Sequence, residues 1–495
     1  MKQLKAICFI STLLLITITG CKKLEVQNLD NPDFNKVYAS GDDLENITSS
    51  LFNSFYNGSH SYSSVTMFLA TSSDNVTCSW GNQSMRDMSW EPRNPWNNAP
   101  NYSYQGTTKY FFDKMYADIN TASNVLKAVN GGVDVGAAGA KNNLVKAFCK
   151  FNQGITYGNL ALVFDKAFIV DENTSIPGAT VANAIPFDQV AAKAVAYLDA
   201  AIALCTNTFT VPKAWLGSTV DYSNAEFAKL CNSMAARILA NYPRNKTQLA
   251  AVNWAKVKAY ADAGVTSDYI IQQDGYVKWY AEAGDYLTFP GWGKVDMYVV
   301  NLMDNTQPQH WGNISIPPPP ASTNPQDKRI FSDFEYSSLN WFQATRGYYH
   351  FSNYRYSRYD NAYALGDGPV PELMKAENDM YRAEARAYTS DVAGAAAIIN
   401  SASSRRKTVG QMADVPAVLA NVEKAILHER HVEMFITGMG LQHFAMRKLN
   451  LLQKGTPLHW PLPAKTLETF RETLPFYTYG GGTGDGINTS NVGWR

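Results

Sequence analysis

The sequence predicts a mainly α-helical protein, a stack of antiparallel helix pairs interrupted by two long irregular insertions. Apolar residues recur at spacings of three and four along most of the chain, with alanine frequent where helices would cross closely. The periodic stretches fall in pairs of roughly 35 to 45 residues, the size of a helix-turn-helix repeat. Across residues 64–104 and 270–367 that periodicity gives way to Gly, Pro, Asn, Ser and aromatic residues, which reads as loop.

The first helix is expected over residues 44–56, with Asp42 and Asp43 capping it at the end where the helix dipole favours acids. Periodic stretches over 110–129 and 142–162 predict the next two. The stretch 187–205 sets Val190, Ala194, Tyr197, Leu198, Ala201 and Cys205 on one face, the stripe of a helix packed on a core. Residues 224–242 and 254–263 continue the series, and helices return over 372–388, 392–403 and 422–435. The scaffold is thus expected over 34–63, 105–265 and 370–450, within a single domain spanning 34–495 that has no internal linker.

At the N-terminus, Lys2 and Lys5 precede an apolar run over residues 6–18 that stops at Thr19 and Gly20, the pattern of a signal peptide. The run is short of the roughly 20 residues that a membrane-spanning helix needs. Ile18-Thr19-Gly20-Cys21 resembles a lipobox, so Cys21 is the expected site of lipidation, with 1–20 removed as signal and 21–33 left as a tether. Several acyl chains on one residue hold a protein on a membrane without a spanning helix. Without residues 1–20 the chain carries 41 basic and 43 acidic residues, a net charge near −2. It has no basic run with interleaved aromatics, so no nucleic-acid partner is expected.

Beyond Cys21 the cysteines are Cys78, Cys149, Cys205 and Cys231. Their spacings match no zinc pattern, and the last three sit among apolar residues in periodic stretches, where thiols pack as small core groups. His428-Glu429-Arg430-His431 has its histidines three apart, whereas a zincin helix needs them four apart. The expectation there is a helix surface on which Glu429 and Glu433 pair with basic neighbours. The chain contains no Gly-rich phosphate loop, no Gly-x-Ser-x-Gly elbow and no Cys/His dyad spacing, and no pair of acids stands out for glycoside hydrolysis. A binding protein is expected rather than an enzyme, with no metal and no cofactor.

The chain carries 11 Trp and 28 Tyr, many of them in the insertions. Sugars present C–H faces that stack on indole and phenol rings, and hydroxyls that need amides and charged groups around the edge. Trp80, beside Gly81-Asn82-Gln83, with Trp90, Trp96, Asn97 and Asn98, offers rings and amides together in the first insertion. Trp279, Tyr280, Tyr286, Trp292, Tyr298 and Trp311 do the same in the second. Trp80, Trp96, Asn98, Trp279 and Trp311 are the candidate ligand residues. Core packing is the competing role for every such ring, and Trp292, Tyr298, Trp341 and Tyr349 are assigned to the framework on that ground.

Several motifs then occur in a telling order. Asn31-Pro32-Asp33 precedes the first helix, and Ala147-Phe148 is followed by Tyr157-Gly158-Asn159-Leu160-Ala161-Leu162. Further on come Ala376-Glu377-Asn378-Asp379-Met380-Tyr381-Arg382-Ala383-Glu384-Ala385, Ile399-Asn400 and Arg405-Arg406. The close reads Ile426-Leu427-His428-Glu429-Arg430-His431-Val432-Glu433, then Leu452-Gln453 and Pro461-Leu462-Pro463-Ala464. Together these resemble the SusD/RagB family of nutrient-binding outer-membrane lipoproteins of Bacteroidetes. The resemblance implies a tetratricopeptide-like helix-pair scaffold whose insertions form the ligand surface. It also implies a SusC-like TonB-dependent transporter as partner, to which an outer-membrane, lipid-anchored and surface-exposed protein delivers oligosaccharide. A peptide-binding member of the family and a lipid-anchored glycan hydrolase are the alternatives. Two departures place local ion pairs in question: Leu162-Val163-Phe164-Asp165-Lys166 stands where relatives turn at Gly-Asp-Val-Pro, and Thr437 and His443 replace acids.

Overall fold

The computed structural model describes residues 37–77, 81–90, 93–175, 178–309, 319–339, 341 and 351–481. The signal peptide, Cys21, the tether, Cys78, Trp80, Trp311 and Tyr349 lie outside the described residues. Among the described residues no helix is long and apolar enough to cross a membrane.

The scaffold consists of α1 (Gly41–His60), α2 (Gln105–Asn130), α3 (Asn142–Val163), α4 (Phe187–Leu204), α5 (Asn224–Asn241), α6 (Trp254–Asp262), α7 (Lys375–Tyr388), α8 (Val392–Ile399), α9 (Leu419–Val432) and α10 (Leu441–Lys448). Each packs on the helix before it, as stacked helix pairs do. The periodicity therefore placed the helices well, and the differences lie at their ends. Ser40, rather than the acids, caps α1: its hydroxyl accepts the Asp43 N–H at 3.4 Å, while Asp42 and Asp43 occupy the first turn. At the start of α5, Ser223 and Glu226 form a reciprocal capping box.

Helix α3 is buried on nearly every side because it lies between α2 and α4 and also touches α5. Two glycines allow that closeness. A Cβ on Gly154 would stand 2.5 Å from the Leu198 side chain of α4, and one on Gly158 would stand 2.3 Å from Ile238 of α5. The unusual exit of α3 is closed by arginine instead of a turn motif. Arg244 donates to Ala161 O at 2.6 Å and Phe164 O at 3.2 Å, and Arg447 to Leu162 O at 2.7 Å. These are the carbonyls that a helix C-terminus leaves without partners, at the negative end of its dipole. Burial pushes the Arg244 guanidinium down to about 9 and also depresses that of Arg447.

The second insertion leaves the scaffold after α6 and rejoins it at α7, yet those helices pack directly on each other. Its two ends are zipped together by β1 (Tyr269–Asp274) and an antiparallel partner over Asp367–Leu373, in a register that sets Ile271 against Val370 and Asp274 against Asp367. Inside it, β2 (Phe334–Tyr336) pairs with β3 (Tyr354–Tyr356), and we call the rejoining strand β4. The insertions are thus not loops throughout. The segments Thr66–Ser72, Glu282–Thr288 and Met297–Met303 are short helices. A second core of Met67, Val76, Leu287, Val295, Val300, Ile330, Phe334 and Tyr356 lies beneath them, against Val432 and Phe435 at the end of α9. Helices of seven residues buried on most faces leave no amphipathic stripe, which is why periodicity missed them.

The His428-Glu429-Arg430-His431 stretch corrects another expectation, since α9 buries it instead of presenting it as a surface. Arg329, from the second insertion, meets Asp327, Glu429 and Glu433 at 2.7, 2.6 and 3.0 Å. Arg406 reaches Glu429 at 3.0 Å, Arg358 reaches Glu433 at 2.8 Å, and His428 Nε2 lies 2.7 Å from Asp327. Asp333, also from the insertion, meets Arg405 at 2.5 Å, while Thr437 donates to Met374 Sδ and His443 pairs with the Ser72 hydroxyl. Cys149, Cys205 and Cys231 are free and buried, as their neighbours in the sequence suggested.

Candidate ligand-binding site

The described candidate residues of the sequence analysis are framework. Trp96 is 1% exposed, with its ring 5.5 Å from that of Phe68 and edge-on to Tyr102, and its N–H donates to Tyr479 O at 2.9 Å. Asn98 is buried beside it, donating to Leu462 O at 3.2 Å and Tyr477 O at 3.1 Å, which ties the first insertion to the C-terminal segment. Trp279 packs between Phe52 and Tyr56 of α1, at ring separations of 6.0 and 5.7 Å. Rings and amides enclosed in this way have no face left for a ligand, which corrects the assignment of Trp96, Asn98 and Trp279. Long irregular segments have few regular hydrogen bonds to hold them, and large rings serve as their anchors.

The Trp279 seat depends on Gly217, whose φ is +64° and whose added Cβ would stand 2.7 Å from the indole. Both the backbone region and the contact exclude a side chain there. Gly217→Ala is expected to lower stability by about 1–3 kcal/mol, read as a shift of the urea midpoint at unchanged slope.

The exposed rings lie elsewhere. Tyr62 follows α1, and its ring is 5.1 Å from Tyr286. Tyr286 is 5.6 Å from Trp292, which is 4.8 Å from Phe289, which in turn is 6.1 Å from Trp341. The row ends on Trp341, whose surface is 49% exposed. Tyr62, Tyr286, Phe289 and Trp292 are half-buried, and the Asn82 amide reaches the Tyr286 hydroxyl at 3.3 Å. The row therefore meets an amide at Tyr286 and ends on an open indole.

Local sequence accounts for its shape. The short helix Glu282–Thr288 ends ahead of Pro290, and Phe289-Pro290-Gly291-Trp292 makes a β-turn closed by Trp292 N–H to Phe289 O at 3.0 Å. Proline at the second position and glycine at the third, with φ +83°, are what a type II turn requires. Trp341 lies on that turn: its N–H donates to Gly291 O at 3.1 Å, and a Cβ on Gly291 would stand 3.2 Å from its ring. Lys294 then anchors the approach to Trp341, donating to Ser337 O at 3.0 Å and Leu339 O at 2.8 Å. Burial, with the nearby Arg355 charge, pushes the Lys294 amine down to about 8.

The acids of this region serve the framework. Glu282 accepts from the Ser61 hydroxyl at 3.1 Å and the Tyr62 N–H at 3.0 Å, and Asp285 accepts from the Tyr276 hydroxyl at 3.0 Å. Burial sets the Asp285 carboxyl above its usual range, against the lowering influence of that hydrogen bond. What the site offers is ring faces, an amide and carboxylates already hydrogen-bonded in place, a set suited to holding a polyhydroxylated chain.

Sequence assigns Trp292 and Trp341 to the framework; Trp292 is half-buried with its indole nitrogen buried, whereas Trp341 is exposed, which corrects its assignment. The Pro-Gly pair between Phe289 and Trp292 is a sequence signal that could have found the turn. Trp341 has no comparable local signal.

No protein-family model and no curated protein sequence matches the chain. Solved structures do. A SusD-like carbohydrate binding protein from Bacteroides vulgatus superposes with a TM-score of 0.57 at 16% identity, covering 83% of this chain and 84% of that one. A SusD superfamily protein from the same species gives 0.59 at 14% identity, covering 87% and 97%. Surface glycan-binding protein A from Bacteroides thetaiotaomicron gives 0.59 at 10% identity, covering 88% and 99%. Matches that span nearly the whole length of each partner fix the architecture: the chain has the SusD-like fold.

Proposed function

We propose that this protein is a SusD/RagB-family lipoprotein, anchored through Cys21 at the cell surface, that binds oligosaccharide and passes it to a SusC-like TonB-dependent outer-membrane transporter. The observation that carries the ligand class is the row from Tyr62 to Trp341, open at a half-exposed indole and edged by the Asn82 amide. Stacking holds sugar rings without chemistry, and Glu282 and Asp285 are engaged in framework hydrogen bonds, so binding rather than hydrolysis is the role. The names of the similar structures, carbohydrate-binding and glycan-binding, support the same reading.

The test is affinity electrophoresis through gels containing plant, fungal and host polysaccharides. Retardation by one of them is expected, and Trp341→Ala is expected to weaken it at least about tenfold, the equivalent of ~1.4 kcal/mol. Retardation indifferent to Trp341, or none in any gel, overturns the reading.

A peptide ligand is favoured by one other feature, a cleft of about 250 Å³ between α7, α8 and α9. Met374, Met380 and Met434 floor it, Lys375, Asp379 and Arg405 rim it, and no aromatic ring lines it. Calorimetry with mixed peptides, compared before and after Met380→Trp fills the cleft, separates this ligand from glycan.

A further inference from the structure

The glycan reading leaves a second surface unused. A groove of about 570 Å³ opens along β2, lined by Phe331, Tyr336, Tyr354, Ser332, Glu335 and Asp360 among others. Phe331 is 56% exposed and Tyr336 37%. The Tyr336 ring is held edge-on to Tyr354 at 5.2 Å, and the Asn353 amide reaches its hydroxyl at 3.3 Å. The groove thus has ring faces set in fixed positions.

Among the described residues, its lining carries two acids and no base. The charged residues lining it are Glu335 and Asp360, with half and two-fifths of their side chains exposed. Both are held from behind by Arg355, buried itself, which donates to Glu335 at 2.6 Å and to Asp360 at 2.7 and 2.6 Å. Carboxylates fixed in this way keep lone pairs toward the groove and offer acceptors whose ordering is already complete before a ligand arrives. A sugar hydroxyl donates to such a group, whereas a ligand carboxylate is repelled by it. The cation on the rim is Lys328, 5.9 Å from the centroid of the Phe331 ring.

Tyr336 of the groove stands five residues before Trp341 of the row in the chain. From Tyr336 the chain runs through Leu339, 43% exposed, to Trp341, and Lys294 pins the intervening carbonyls. Five residues of extended chain span at most about 17 Å, a distance that a short run of linked sugars covers.

Resting on the glycan reading above, we propose that the ligand is a linear, uncharged glycan long enough to lie on Trp341 and continue over Tyr336 and Phe331, and that Glu335 and Asp360 exclude chains carrying uronic acids.

Calorimetry on the purified protein tests this with the polysaccharide that retards it, cut into short and long oligosaccharides, and with the same oligosaccharides oxidised to uronates at their primary hydroxyls. The long neutral chain is expected to bind at least tenfold more tightly than the short one, and Tyr336→Ala and Phe331→Ala to remove that gain while leaving the short chain's affinity in place. The uronate form is expected to bind at least tenfold more weakly than the neutral form. Glu335→Gln and added salt should both narrow that difference. Phe331 and Tyr336 are 56% and 37% exposed, and an unchanged urea midpoint for each variant separates loss of binding from loss of fold. If affinity ignores length, Tyr336 and Phe331, or if uronates bind as well as neutral chains, this inference is overturned while a Trp341-dependent glycan reading stands. Binding that ignores Trp341, or no binding by any chain, overturns both.

Discussion

Arg329→Met is expected to cost about 3–5 kcal/mol of stability, the loss typical when one partner of a buried ion network is removed and its counter-charges stay. Arg329 is fully buried, and its guanidinium alone meets three carboxylates: Asp327, Glu429 and Glu433. Asp327 lies two residues away on the insertion, while the two glutamates stand one turn apart on and just beyond α9. The arginine therefore bolts the second insertion to the scaffold, and its removal leaves acids gathered in a dry interface. Arg329→Lys keeps the charge but loses the fork that bonds two carboxylates at once, so an intermediate loss is expected. Because the groups share one network, Arg329→Met combined with Glu429→Gln should destabilise by less than the sum of the single changes. Urea unfolding of the wild type, the Arg329→Met, Arg329→Lys and Glu429→Gln variants and the double variant measures all three statements. A loss under about 1 kcal/mol for Arg329→Met would place this network with surface ion pairs and refute the bolt.

The scaffold and the insertions differ in how far sequence discloses them. A helix such as α4 announces itself because its stripe of Val190, Ala194, Leu198 and Ala201 is set by the helical repeat, and a repeat is local. The motif residues were legible as motif but not as structure: Glu429 and Glu433 read equally as an exposed pair until Arg329, distant in the chain, was placed against them. The aromatic residues were the least legible. Trp96 and Trp341 both sit in irregular sequence rich in small and polar residues, yet one is 1% exposed and the other 49%. What separates them is the tertiary partner, Phe68 and Tyr102 around the first and the Gly291 turn beneath the second. An indole is large enough to anchor a loop or to platform a ligand, so its identity alone does not choose. The β-turn under Trp341 was the recoverable part, since its Pro-Gly pair is local chemistry.

Asp118 gives a prediction of opposite sign to ordinary acid unfolding. It lies in α2, 3% exposed, and burial pushes its carboxyl up to about 7 against the smaller opposing influences of the Ser54 hydroxyl and Lys114. The folded protein therefore keeps a proton on Asp118 between about pH 4 and pH 7, where the unfolded chain has released it. Folding binds a proton in that window, so this group's contribution to stability is complete below about pH 4 and declines as pH rises, by up to ~4 kcal/mol once pH passes 7. Asp262 acts the other way. Its carboxyl is held down to about 2 by Arg386, Lys258 and Arg382 in spite of partial burial, and the stability it contributes is present above about pH 4 and lost as pH falls toward 2. A single stability curve mixes the two, whereas the difference between wild type and Asp118→Asn isolates the first. An amide stays neutral throughout, so the variant should gain on the wild type steadily from pH 4 to 7 and hold its gain above. The amide hydrogens bring a constant offset with them, which leaves the change with pH as the quantity to read. Urea midpoints for both proteins across pH 4 to 8 supply it, and a difference that stays flat would mean that Asp118 is ionised in the folded protein and solvated within α2.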